Sequence, residues 1–175
     1  MNREVTNAKE NGGRHEKWRL AALLAFVIGS FFFHVAGNDY PYYYNADEPA
    51  KARQVRSHNW NYNHPMAMLS TARFFVDEEM TLQETTERGR AVVAAFTVIG
   101  MGCLVTLAWW GFGWAGAVAA AVLLLLNPEG YKYARVFKED PVLFSGMAAF
   151  ALAAGLWLTR SGGVWSIVAL GAAAG

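Results

Sequence analysis

The sequence predicts an all-α, polytopic membrane protein, and three observations carry that reading. Of 175 residues, 54% are hydrophobic and only 17% charged, against roughly 25% charged in soluble domains. The charges are segregated, crowding into residues 1–19, 39–90 and 129–140. Between and after them stand apolar blocks at 20–36, 91–110, 114–126, 142–159 and 164–174, and about 20 apolar residues suffice to cross the roughly 30 Å hydrocarbon core as a helix. A net charge of +1 gives no field that would steer nucleic acid, so no nucleic-acid partner is expected. The single cysteine, Cys103, excludes an intramolecular disulfide and a cysteine-cluster metal site.

Residues 1–17 are polar and without periodicity, so a flexible cytoplasmic tail is expected there. Lys17 and Arg19 place positive charge before the first apolar block, which argues for a cytoplasmic N-terminus. That block reads as an uncleaved signal anchor, because the Gly37-Asn38-Asp39-Tyr40 flank offers no small-residue cleavage site. Residues 18–160 form one transmembrane module with helices expected at about 20–36, 91–110, 112–126 and 142–159. The third helix is short, and Trp109, Trp110 and Trp114 mark its interfacial turn with the second. Residues 161–175 read as the start of a further helix that is too short to cross, as in a fragment of a longer protein.

Crossing parity then puts segments 37–90 and 127–141 on one face, and both are rich in ionisable groups. Each carries an acidic pair before a proline: Asp47-Glu48-Pro49, and Glu139-Asp140-Pro141. Proline suits a helix's first turn, and the free N–H groups there favour negative charge. Such a carboxylate caps a helix or, kept ionised, deprotonates a hydroxyl. The stretch after Pro49, with Arg53, Val55 and Arg56, predicts an amphipathic helix lying along the membrane surface, and His64-Pro65 precedes a second one over 66–76. Asn59, Asn61 and Asn63 offer donors and acceptors suited to sugar hydroxyls or form an ordinary polar loop. Lys132, Arg135 and Lys138 meet either lipid headgroups or a substrate phosphate, with Arg135 favoured for the latter by its bidentate fork. The spacing of His58, His64 and Asp47 matches no compact ligand pattern. No cofactor or metal is therefore expected, a divalent cation remaining the alternative.

The order of these features resembles the N-terminal part of the C-type (GT-C) polytopic membrane glycosyltransferases, of the protein O-mannosyltransferase and aminoarabinose transferase kind. The residues that carry the resemblance are Tyr42-Tyr43-Tyr44-Asn45-Ala46-Asp47-Glu48, His64-Pro65-Met66-Ala67-Met68-Leu69, Asn127-Pro128, Tyr133-Ala134-Arg135 and Glu139-Asp140-Pro141. Met66 and Ala67 depart from it, standing where a second proline and a leucine are usual. The resemblance implies inverting transfer of a sugar from a polyprenyl-phosphate-linked donor to an acceptor hydroxyl at the outer membrane face. It implies Asp47 as base and Arg135 near the donor phosphate, with Glu48, Glu139 and Asp140 as further catalytic candidates. Lys132, Arg53, His64, Tyr44 and Asn61 are the other substrate-binding candidates. The site is expected to face outward from a bacterial or archaeal cytoplasmic membrane, with membrane lipids and a homo-oligomer or membrane complex as partners. The competing reading is a non-catalytic subunit of a larger assembly, held by small residues such as Gly100 and Gly155. A transporter is less consistent with the sequence: His34 is the only ionisable candidate deep in a helix, and it is expected at the interface.

Overall fold

The computed structural model describes residues 2–57 and 66–159, and side chains within those ranges from Lys17 to Leu158. Among the described residues all regular structure is helical: α1 (Asn2–Val35), α2 (Glu48–Ser57), α3 (Ala67–Arg73), α4 (Leu82–Leu125), α5 (Pro128–Tyr133) and α6 (Asp140–Thr159). Three of them, α1, α4 and α6, contain segments long and apolar enough to cross a membrane. The fold is consistent with a multi-pass membrane helical bundle.

α1 runs through the segment expected as a tail. Extending a helix already formed by the apolar block costs far less than nucleating one, and Arg, Glu and Lys are good helix formers. Its end is set by Gly37, whose φ of +68° supplies the left-handed residue that stops a helix.

α4 is two helices joined at a sharp break. Gly113 has φ 68° and ψ −161°, a conformation essentially reserved for glycine. The second arm folds back along the first, so that Val105 and Ala117 line one cavity and Thr97 and Leu124 another. Trp109 and Trp114 meet edge to face at 6.3 Å across the break. The first arm starts at Leu82 rather than near residue 91. A capping box begins it there, with the Thr81 hydroxyl accepting from Glu84 N–H and the Glu84 carboxylate accepting from Thr81 N–H.

α6 packs closely on the first arm. The Phe144 ring lies so near Gly100 that an added Cβ would stand 2.6 Å from it, and Ser145 Oγ donates to the Phe96 carbonyl at 2.6 Å. The break at Gly113 lies at one end of this bundle. At the other end the segments 36–57, 66–81 and 127–139 come together, as the contacts below describe. α2 buries Glu48, Lys51, Ala52 and Val55, the i, i+3, i+4, i+7 stripe of one helix face. Val55 joins Met68, Leu69, Ala72, Val76, Val92, Val93 and Phe137 in a core between α2, α3, α4 and the 134–139 loop.

Candidate functional site

The loop end is organised around a buried ion pair. Glu48 and Arg90 are both 0% exposed. Arg90 Nε donates to Glu48 Oε1 at 2.8 Å and Nη2 to Oε2 at 2.7 Å, a bidentate fork. The remaining N–H groups of Arg90 go to the carbonyls of Asn38, Tyr40 and Pro41. Glu48 Oε1 also accepts from the Phe137 backbone N–H at 2.9 Å. Every charge-bearing group of this pair is therefore met, which is the condition for burying it without a large desolvation loss. The Arg90 guanidinium stacks 3.5 Å over the Tyr40 ring, and burial pushes the Tyr40 hydroxyl above its ordinary range.

A second pair repeats the device. Lys51 Nζ lies 3.1 Å from Glu139 Oε2, with both side chains nearly buried. Glu48 and Lys51 lie one turn apart on α2 and Glu139 just before α6, so the two outer segments are bolted together through α2. Arg135 closes the assembly. Its guanidinium donates to Asn38 Oδ1 at 2.8 Å, to the Tyr131 hydroxyl, and to the carbonyls of Ala36 and Gly37. Through these bonds Arg135 holds the C-terminal end of α1, where carbonyls lack helical partners. Tyr40 donates its hydroxyl to the Arg135 carbonyl, fixing the same loop from the other side.

Asp47 and Asp140 are treated differently. Their side chains are 52% and 49% exposed, and both approach one ammonium: Lys138 Nζ is 3.5 Å from Asp47 Oδ2 and 3.6 Å from Asp140 Oδ2. Asp140 first, and then Asp47, hold the Lys138 amine above its ordinary range. Asp47 comes to this place through an Asx turn, its N–H donating to Asn45 Oδ1 at 3.1 Å. Of the trio, Asp140 lines a mostly apolar cavity of about 230 Å³ between α1, both arms of α4, α5 and α6. Asp140, Tyr133, Asn127 and His34 are its lining residues that bear ionisable or amide side chains, with Phe144, Met101 and Leu124 among the apolar ones.

Of the other expected residues, Arg53 and Lys132 are exposed, Lys132 with its ammonium 6.0 Å from the Tyr133 ring. Tyr44 is exposed and meets Tyr40 edge to face. Asn61 and His64 lie outside the described residues, as does the segment 161–175. His34 lies in the last turn of α1, near the helix end as expected, and is buried there against protein, with Nδ1 2.7 Å from the Ser30 carbonyl. Among the described residues no group of three or more His, Cys, Asp or Glu could hold a metal ion. No family model, curated protein or solved structure matches the chain. Sequence reasoning missed Arg90 and Lys51 as partners of the acidic pairs. The signal available was the buried stripe of α2, which places Glu48 and Lys51 on the same face as Ala52 and Val55.

Proposed function

We propose that the loop end carries out inverting sugar transfer of the GT-C kind, from a polyprenyl-phosphate-linked donor to an acceptor hydroxyl, with Asp47 as base. One observation supports this above the rest. Of the four acidic residues in the two pairs, Glu48 and Glu139 are held in buried ion pairs, whereas Asp47 and Asp140 stay half exposed around Lys138, and Asp140 lines an apolar cavity. In the proposed step the Asp47 carboxylate takes the proton of the acceptor hydroxyl. The oxygen attacks the anomeric carbon, and the bond from that carbon to the phosphate oxygen breaks on the opposite side, releasing polyprenyl phosphate with inversion. The phosphate is a competent leaving group that needs cationic stabilisation. Lys138, with the exposed Lys132 and Arg53, is the source of positive charge this reading assigns to it. Arg135 acts in it by holding the end of α1 and the loop at 36–38 in place.

The test is sugar transfer by the Asp47→Asn protein in membranes supplied with polyprenyl-phosphate sugars. Asn replaces Asp well as a turn and cap residue, so folding should survive. Loss of a base should lower the rate by roughly 10²–10⁴-fold. A rate within a few-fold of the parent would remove Asp47 from the chemistry. The second reading, a non-catalytic membrane subunit, is favoured by the two buried ion pairs, which account for Glu48, Glu139, Arg90 and Lys51 as scaffold. It predicts no transfer by the parent protein and co-purification with a partner chain.

A further inference from the structure

A second groove lies away from the acidic trio, on the side of the bundle formed by α1, α3 and the first arm of α4. Its volume is about 370 Å³. One stripe of α4 floors it: Arg88, Ala91, Val92, Ala95, Phe96 and Ile99, which follow the i, i+3, i+4 rhythm of a single helix face. Phe31 of α1 walls one side, and Thr71 and Phe75 at α3 the other. The wall is apolar except at its mouth. There Arg88 is exposed, and among the described residues no hydrogen bond or close ion pair fixes its guanidinium, although Glu84 one turn earlier attracts it while its carboxylate is tied to Thr81.

The groove has a length and a polarity. From Arg88 to Ile99 the helix rises about 16 Å at 1.5 Å per residue, about half of the roughly 30 Å hydrocarbon core. A channel with a cation at the loop end and apolar walls for one leaflet's depth matches one phospholipid, phosphate at the mouth and acyl chain below. The neighbouring surface fits the same boundary. Phe74 is 87% exposed and Phe75 56%, at the end of a helix whose Met68, Leu69 and Ala72 are buried in the core. Exposed phenylalanine rings of this kind insert into the headgroup–acyl boundary. The other cation nearby, Arg73, is already taken by Glu78 at 3.1 Å, which leaves Arg88 as the group that would meet a lipid phosphate.

We infer that the groove between α1, α3 and α4 binds one anionic phospholipid of the leaflet on the loop side, its phosphate on Arg88 and an acyl chain along Ala95 and Ile99. This lipid is a resident of the fold, distinct from the sugar donor, and its binding does not depend on the proposed transfer reaction.

The test is native mass spectrometry of the whole chain, released from mild detergent after incubation with phosphatidylglycerol or with phosphatidylcholine of the same chain length. The parent should retain one phosphatidylglycerol about fivefold over phosphatidylcholine, the preference one basic residue gives at a membrane surface. Arg88→Gln should remove the preference and Arg88→Lys should keep most of it. Ile99→Trp should expel both lipids, and circular dichroism should show all three variants folded. Three results would overturn the inference: no preference in the parent, a preference unmoved by Arg88→Gln, or retention unmoved by Ile99→Trp. A fourth would be disulfide-linked dimers of Ile99→Cys in a Cys103→Ser background, which would assign the groove to a second copy.

Discussion

Asp47 and Glu48 are neighbours in the chain but not in environment: Glu48 is fully buried against Arg90, while the Asp47 side chain is half exposed 3.5 Å from Lys138. One peptide step separates a scaffold carboxylate from an available one. The helix start explains the division. Glu48 is the first residue of α2 and points with Lys51, Ala52 and Val55 into the core, whereas Asp47 precedes the helix in a turn stapled by Asn45.

Because the Glu48–Arg90 pair is sealed, removing one partner should be costly while replacing both should not. Glu48→Gln and Arg90→Met should each destabilise the folded chain by about 3–5 kcal/mol, since each strands a buried charge or its donors. The double variant should recover a large part of that loss. Thermal unfolding in detergent, followed by helical circular dichroism, measures all three, and equal stability of the parent and both single variants would show that the pair is not buried as described.

Lys138 carries a prediction about pH. Asp140 and Asp47 raise its pKa, so the ammonium persists above the ordinary lysine range and loses its pairing only as pH rises through the raised value. The contribution to stability is present below the unfolded lysine pKa and fades above it, so no change is expected between neutral pH and the ordinary lysine range. Acetylation by a small anhydride across alkaline pH reads it out by mass spectrometry. Lys138 should become reactive only at higher pH than a free lysine side chain, and Asp140→Asn should lower that pH.

Gly89 should tolerate no side chain. A Cβ there would stand 2.6 Å from the Phe137 ring, and that ring is fully buried in the core. Gly89→Ala should cost about 1–3 kcal/mol through overpacking. Combining it with Phe137→Leu should relieve part of the loss, which the same thermal measurement would show.

The arrangement of the bundle predicts which positions share a face. In a Cys103→Ser background, cysteines at Tyr44 and Lys132 should react with an impermeant thiol reagent from the same side of sealed vesicles. A cysteine at Phe112, next to the break in α4 and 81% exposed, should react only from the other side. Labelling of Tyr44→Cys and Lys132→Cys from opposite sides would contradict the contacts between their loops.

The parts of this architecture that are local in sequence were legible there. Apolar blocks announce long helices, and the Trp109–Trp114 segment with Gly111 and Gly113 announces the turn between the two arms of α4. Thr81 and Glu84 spell a capping box that, weighed against the apolar pattern, would have started α4 earlier. The pairings were not legible, because they join residues far apart in the chain that no periodicity connects. Nothing in the sequence pattern singles out Arg90, and Glu48 reads there as a helix cap or a catalytic carboxylate. Only the folded loop brings them together, with the Asn38, Tyr40 and Pro41 carbonyls using the rest of the guanidinium. Arg135 shows the same limit: its fork geometry suits a phosphate, but the fold also gives its N–H groups acceptors on Asn38, Tyr131, Ala36 and Gly37 that no periodicity announces.

The third bond to Glu48 fixes an order of assembly. Its carboxylate needs the Arg90 side chain and the Phe137 N–H, which lie 42 and 89 residues downstream. During synthesis the chain emerges from its N-terminal end, so the loop after α1 is made long before the groups that neutralise it. Those contacts cannot form until α4 and the segment before α6 have been made. Biogenesis of the loop end is thus governed by its last-made part, and a ribosome-bound chain stopped before residue 137 should display residues 38–48 open to proteases that the finished protein resists.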